Sequence, residues 1–390
     1  MSRFEILLAT HCPNGVRFVP LDEFVSYEQP TKYLVSSTAY DDAYQTPVLT
    51  AGQTFILGYT DESEGIYLTS KECPVIIFDD FTTAFKWVDF PFKAKSSAMK
   101  ILTPKKSDQA DFRFIFYAMS CIGFAPQDHA RHWIAKYSQF TIPLPPIEVQ
   151  REIVRILDTF SKLEAELEAE LESERRSRLS QTALLRAQLL PDLNRGFPAR
   201  RLRELVGFRN AKAHEKLVDP DGDIALLTSR FVSTEGKVAR FVRRENVLTP
   251  ALKDETAIVM SDLPNGRALA KAFYVDRSDA YAANQRVGLL RVSDAQIVHP
   301  RYLYYMVDRN PQLLAYDNGL DQTHLKKDWI LDILIPLPPL EDQMRIAETL
   351  DRLLAGSATL LGELTSEQMS RRQQYEHYRD RLLTFQEATA

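Results

Sequence analysis

Three cysteines in 390 residues, Cys12, Cys73 and Cys121, are too few and too far apart for a disulfide framework or a zinc cluster. They fit free thiols in a reducing cytoplasm. The fourteen glycines form neither GxGxxG nor GxxxxGK followed by Ser or Thr, so neither a dinucleotide nor a nucleoside triphosphate has a glycine-rich cradle. No stretch approaches the roughly 18 apolar residues of a membrane span, and Met1-Ser2-Arg3-Phe4-Glu5-Ile6 lacks the apolar core of a secretion signal. The seven histidines include no HExxH, and His129 with His132 lacks a third ligand, so that stretch reads as a polar loop. There is no Asn-Pro-Pro-Tyr/Phe run of the kind amino-methyltransferases use. Asp79-Asp80, between Phe78 and Phe81, reads as a turn ending a strand rather than a metal-binding pair. These absences point to a cytoplasmic, non-catalytic chain with no metal or cofactor of its own.

What the chain does have is a motif used twice. Ile142-Pro143-Leu144-Pro145-Pro146-Ile147-Glu148 and Ile335-Pro336-Leu337-Pro338-Pro339-Leu340-Glu341 each lead into a long helical pattern, at an ungapped offset of 193. The prolines fix φ and favour an extended entry. Pro146 and Pro339 suit the first helical position, and Glu148 and Glu341 suit the positive end of the helix dipole. Ile153, Ile156, Phe160, Leu163 and Leu167 follow coiled-coil spacing, and a step of four to Leu171 shifts the stripe. Ile346, Thr349, Leu353, Gly356, Leu360 and Leu364 repeat it more weakly. From Ile147 to Leu190 a helix spans roughly 60 Å at ~1.5 Å per residue. Two matched helices in one chain predict an intramolecular antiparallel pair.

Net charge is −5, unevenly spread. Residues 1–141 carry 13 basic against 16 acidic side chains, and residues 199–334 carry 21 against 18. Acid gathers in the first helix, where Glu164, Glu166, Glu168, Glu170, Glu172 and Glu174 alternate with small or apolar residues, so the helices are poor candidates for lying along DNA. Residues 1–141 read as a mixed α/β domain, with strands at Phe55–Tyr59 and Pro74–Phe78 and a buried helix at Asp111–Phe124. Pro191 to Pro198 reads as a linker. A second mixed domain, 199–334, has strand candidates at Ile224–Leu227, Ala257–Met260 and Val287–Val292. The duplication reaches into both: Gly15–Val25 aligns with Gly196–Val206, and Arg113-Phe114-Ile115-Phe116-Tyr117 with Arg301-Tyr302-Leu303-Tyr304-Tyr305. A repeated framework with unlike parts between the anchors fits two modules that read different things.

Basic residues interleave with aromatic and amide side chains in both modules. The first offers Lys86-Trp87, Lys93, Lys95, Arg131-His132-Trp133 and Lys136. The second offers Arg230, Arg240, Arg243-Arg244, Arg267, Asn284-Gln285-Arg286 and Lys326-Lys327. Arg and Lys read guanine, Asn and Gln read adenine, and Lys pairs neutralise phosphate. For any one of them a solvated surface charge is the competing reading.

At the two IPLPP units the chain resembles the specificity (S) subunit of type I restriction–modification systems, over essentially its whole length. Ile142–Asp158 and Ile335–Asp351 look like that family's I-P-L-P-P-(L/I)-E-x-Q-x-x-I-x-x-x-L-D openings. Tyr375-Glu376-His377-Tyr378-Arg379-Asp380-Arg381-Leu382-Leu383-Thr384-Phe385 looks like its C-terminal ending, and Pro47–Gln53 with Gly58-Tyr59 resembles a common type of its first target-recognition domain. Thr182 and Leu185 stand in the first helix where Tyr375 and Tyr378 stand in the second. The resemblance implies an α+β fold: two α/β target-recognition domains separated by a pair of long antiparallel coiled-coil helices, in a pseudo-two-fold internal repeat. The expected parts are 1–141, 142–198, 199–334 and 335–390.

It further implies a non-catalytic subunit that recognises a bipartite, asymmetric site in double-stranded DNA. Tyr59, Lys86, Lys93, Arg131, His132, Lys136, Arg230, Arg243, Arg244, Arg267, Gln285, Arg286, Lys326 and Lys327 are the candidate contacts. Partners would be two modification subunits, using S-adenosylmethionine to methylate adenine, and restriction subunits using ATP and Mg. Readers about one helical turn (~34 Å) apart would leave roughly five to eight base pairs unread. Two rivals stand beside this: a degenerate scaffold that assembles partners without reading DNA, and a fused restriction–methylation enzyme, which the missing motifs disfavour.

Overall fold

A computed structural model of the chain describes residues 2–52, 54–105, 109–126, 130–193, 196–262, 268–319 and 321–388. In chain order its helices are α1 (Arg3–His11), α2 (Phe112–Met119), α3 (Ile147–Leu189), α4 (Ser229–Ser233), α5 (Pro300–Val307), α6 (Pro311–Leu314), α7 (Lys327–Leu331) and α8 (Leu340–Leu383). There are two compact units, Met1–Glu172 with Thr365–Ala390, and Ser173–Leu364. Each therefore contains one mixed head, the first half of one long helix and the second half of the other.

The heads share one topology. In the first, β1 (Arg17–Pro20) pairs with β9 (Thr141–Leu144). A four-stranded sheet runs β2 (Val25–Glu28), β8 (Met99–Pro104), β5 (Val75–Asp79), β6 (Phe85–Val88). A smaller sheet runs β4 (Ile56–Thr60), β3 (Thr46–Leu49), β7 (Lys93–Ala94), with β3 and β7 parallel. In the second head, β10 (Ala199–Arg201) pairs with β20 (Leu334–Pro336). Its large sheet runs β11 (Val206–Asn210), β18 (Val287–Val292), β14 (Thr256–Val259), β16 (Ala272–Tyr274). Its small sheet runs β13 (Phe241–Val242), β12 (Ile224–Leu227), β17 (Tyr281–Ala283), again with the last two parallel. A short pair, β15 (Ser261–Asp262) with β19 (Thr323–His324), belongs to the second head.

The central strand of each head is apolar on both faces because it lies between two layers. Ile76 and Phe78 of β5 face α2 and the long helix, packing with Phe114, Ala118, Ile153 and Leu157, while Val75 and Ile77 face Leu49, Val88 and Ala94. In the second head Ile258 lies with Tyr302, Met306 and Leu350, and Ala257 and Val259 lie with Leu227, Ala283 and Leu289. Predicted strands coincide with β12 and β18 or fall within a residue of β4, β5 and β14. The helix expected to run to Phe124 stops at Met119, with Asp111 accepting from the Arg113 and Phe114 N–H groups as its N-cap. Pro146 and Pro339 stand one place earlier than expected: their carbonyls accept the first helical bonds, from Gln150 and Gln343.

One carboxylate joins each head to its long helix. In the first unit Asp158 of α3 accepts from Arg113 Nε at 2.8 Å and Tyr117 Oη at 2.6 Å. The Arg113 guanidinium lies over the rings of Trp87, Phe116 and Tyr117. In the second, Asp351 of α8 accepts from Arg301 and Tyr305, with Arg301 over Tyr274, Tyr304 and Tyr305. A buried amide completes each joint. Gln150 accepts from Asp111 N and donates to the Pro145 and Gln109 carbonyls; Gln343 accepts from His299 N and donates to Pro338 and Ile297.

The long helices run antiparallel where they meet. In the first unit Ser161 Oγ lies 3.1 Å from Tyr375 Oη and Gln368 donates to Glu168; in the second, Thr182 donates to Ser357. The apolar stripe follows its expected register only in part. Phe160 and Leu163 are 38% and 55% exposed, and the seam turns from Ile153 and Leu157 to Ser161 and Glu164. A small hydroxyl fits opposite Tyr375, while Phe160 moves to the flank and stacks on Tyr378 at 5.8 Å. In α8 the expected positions Ile346, Leu353 and Leu364 are covered, together with Ala347, Leu350, Leu354, Ser357 and Leu361, while Thr349, Gly356 and Leu360 are exposed. Two further features belong to the first unit. Phe4 and Leu7 of α1 pack on its core, and Gly15, at φ +89°, lets Val16 bridge Glu387 where a Cβ would meet the Gln386 carbonyl at 2.6 Å.

Replacing Gln150 or Gln343 with Ala strands one buried N–H and two carbonyls, and is expected to cost about 2 kcal/mol or more, measured by urea unfolding. Burial alone would raise the pKa of Asp351, but hydrogen bonds from Arg301 and Tyr305 and the guanidinium charge outweigh it and hold the carboxyl below its usual range. A depressed carboxyl contributes stability above the ordinary carboxylate pKa and loses it as pH falls through the folded value. Asp351→Asn should therefore melt with a flatter acid limb than the parent chain.

Candidate nucleic-acid interface

The parallel strands of each small sheet end together, and the loops that follow form one rim per head. In the second head β12 ends at Leu227 beside Ala283 of β17, so Thr228–Arg230 and Asn284–Arg286 emerge side by side. Asn284 N donates to the Leu227 carbonyl at 3.2 Å, and the buried Asn284 amide accepts from His214 N and donates to Glu215. Met260, just past β14, donates its N–H to the Arg286 carbonyl and accepts from Leu325 N at 2.7 Å. Ser261 then joins Ser229 and Gln322 by hydrogen bonds. Arg230, Gln285, Arg286, Lys326 and Lys327 are thus exposed on one rim, with His324 exposed beside them. Lys326 Nζ lies 5.1 Å above the Trp329 ring and Lys327 Nζ 5.5 Å above Phe208, which orients both cations without neutralising them. Arg267 lies outside the described residues.

The first head builds the same rim from different residues. Leu49 and Ala94 end β3 and β7 together, and Lys95 N donates to the Leu49 carbonyl at 3.0 Å, as Asn284 does to Leu227. Asp80 N donates to Ala98 O and Asp80 O accepts from His132 N, the pattern that Met260 makes. Arg131 and Lys136 are exposed on this rim, Lys136 Nζ lying 5.9 Å above Phe124, and Lys95 is exposed there too. Arg131 and Lys136 thus occupy the place that His324, Lys326 and Lys327 occupy in the other head.

The remaining candidates lie elsewhere or turn their side chains inward. Lys93 is 4% exposed and buries its ammonium against Glu62 Oε2 at 2.5 Å and the Glu64 carbonyl at 2.7 Å; the hydrogen bond from Lys93 in turn depresses the Glu62 pKa. His132 is buried, its ring 5.3 Å from Phe124. Lys86 is half-buried within the edge strand β6, and Tyr59 of β4 pairs with Pro47 near the start of β3. Arg243 and Arg244 flank the start of β12, held by Asp219 at 2.5 Å and by Asp223 at 3.4 Å. Asp79-Asp80 is more than a turn: Asp79 caps one through Phe81 N and Thr82 N, while Asp80 is buried. The spacing of basic residues marks none of this, because an alternating Lys on a strand looks the same whether it meets solvent or an inward acid. Gln322 and His324 were missed as rim residues, since their neighbours are set by the β15–β19 pair.

Among the described residues, no group of three His, Cys, Asp or Glu side chains is arranged to hold a metal ion, and no helix is long and apolar enough to cross a membrane.

The family model for the type I restriction modification DNA specificity domain matches residues 13–173 and again 201–367, one match for each half of the duplication. The chain is 36% identical to the EcoR124I/EcoR124II specificity subunit of Escherichia coli over 95% of this chain and 94% of that one. It is 25% identical to a putative type I restriction enzyme specificity subunit of Haemophilus influenzae, covering 85% and 86% of the two chains. Among solved structures, a chain described under complex assembly and conformational transition of the type I R-M system superposes with a TM-score of 0.68 at 16% identity, covering 95% of this chain and 98% of that one. The duplicated heads, the paired long helices and these likenesses agree: the chain belongs to the specificity subunits of type I restriction–modification systems.

Proposed function

We propose that each head reads one half of a bipartite DNA site through its rim: Lys95, Arg131 and Lys136 in the first, and Arg230, Gln285, Arg286, Lys326 and Lys327 in the second. The observation that carries this is the matched placement of these exposed cations on equivalent strand ends of two heads that share a framework and little else. Lys and Arg neutralise phosphate and reach guanine, and Gln reaches adenine. Because the rims differ residue by residue, the two half-sites differ and the whole site is asymmetric.

The chain itself supplies recognition. Methylation of adenine with S-adenosylmethionine, and cleavage driven by ATP with Mg, fall to two modification subunits and to restriction subunits docked on it. Nothing favours a degenerate scaffold over a reader. Selection from a random duplex pool by the complex with modification subunits tests this. A split motif with an unread spacer is expected, and a single contiguous motif or no enrichment would contradict it.

The rim also separates the lysine pair from the arginine pair. Lys326→Ala with Lys327→Ala should weaken binding and lower the magnitude of the log K against log salt slope by up to about 2. Arg243→Ala with Arg244→Ala should change the slope less, because both guanidiniums already face acids. Fluorescence anisotropy over a salt series measures both.

A further inference from the structure

The two heads fill one equivalent slot in opposite ways. In the first, Lys100 of β8 and Asp80, just past β5, form an ion pair at 3.1 Å with side chains 0% and 1% exposed, and the Lys100 ammonium lies 5.6 Å above the Tyr27 ring. Strand register identifies the counterparts. Phe78 pairs with Lys100 as Ile258 pairs with Gly288, and Tyr27 pairs with Leu102 as Phe208 pairs with Leu290. Asp80 and Met260 each follow the central strand and make the same two main-chain bonds. The second head thus holds Met260, Gly288 and Phe208, packed so closely that a Cβ on Gly288 would meet the Phe208 ring at 2.6 Å and the Met260 sulfur at 3.1 Å.

An apolar filling of this slot is therefore compatible with the fold, and a buried ion pair is no more stabilising than well-packed apolar residues of similar volume. What the acid adds is a bond the methionine cannot make: Asp80 Oδ1 accepts from Trp133 N at 2.8 Å, inside the segment that carries Arg131 and Lys136. The Lys100 ammonium faces the other oxygen of that carboxylate, Asp80 Oδ2, at 3.1 Å, out of water. Trp133 is itself buried, its ring 5.0 Å from Phe78, so the segment is clamped at its centre with Arg131 and Lys136 exposed on either side.

We propose that Asp80, held by Lys100, is a positioning residue for DNA reading by the first head: it fixes the Arg131–Lys136 segment through the Trp133 main chain and so sets discrimination at one half-site. This rests on the reading that the segment faces DNA.

The test uses the full chain in complex with modification subunits and measures binding to the selected duplex, with single base changes in each half-site. The variant Tyr27→Phe, Asp80→Met, Lys100→Gly copies the second head and removes the acceptor for Trp133 N. It should lose about tenfold or more of its discrimination in one half-site and none in the other. Asp80→Asn with Lys100→Met removes both charges but keeps an acceptor oxygen, and should restore discrimination. Unchanged discrimination in the first variant, equal loss at both half-sites, or failure of the asparagine variant to restore it overturns the proposal. If the first variant does not assemble, the asparagine variant alone decides, since loss of discrimination there contradicts a role carried by the acceptor. Arg131→Ala and Lys136→Ala run alongside. If they leave both half-sites unaltered, the reading of the rim itself fails; if they weaken one half-site while the methionine variant does not, only the role of Asp80 falls.

Discussion

A reader of DNA is only as exact as the joint that holds it, and in each unit of this protein that joint is one carboxylate. Asp158 and Asp351 each take an arginine and a tyrosine from the head's helix, and the arginine in turn lies over three aromatic rings. The arrangement is partly shielded rather than fully buried, so the charges are not stripped of water, and the rings remove the freedom that makes exposed ion pairs weak. Gln150 and Gln343 close the same joints without any charge, satisfying each of the main-chain groups they touch. Everything beyond the joint, the two sheets and the rim loops, is positioned from it.

The joint and the framework are repeated almost residue for residue while the rims are not. Lys95 stands where Asn284 stands, and the pair Asp80 and Lys100 stands where Met260 and Gly288 stand. The same hydrogen-bonded pattern of strand ends carries unlike chemistry. This is the division of labour expected when one scaffold must serve two different sequences: main-chain bonds conserve the geometry and side chains are left to vary.

Much of the framework was legible in the sequence because it is periodic or duplicated. The IPLPP units, the equivalence of Arg113–Tyr117 with Arg301–Tyr305, and the runs that became β12 and β18 all rest on local spacing. The seam between the long helices was legible only in part. The stripe predicts Phe160 and Leu163 inward, whereas the bulk and hydroxyl of Tyr375, more than two hundred positions away, draw Ser161 to the seam instead. The candidate interface was less legible still. Lys93 and Arg243 carry the same charge as Lys136 and Arg286, and what separates them is an inward-facing Glu62 or a neighbouring Asp219, brought close by strand pairing. Asp80 read as half of a turn because the lysine that neutralises it is twenty residues further on, on an adjacent strand.

The central claim is that the two heads read independently. The most direct measurement is the map of methylated adenines in cells carrying the complete system, with residues 13–141 replaced by the corresponding segment of a relative. One half of the split motif should change while the other half stays as it was. A motif that changes in both halves, or in neither, would contradict the account.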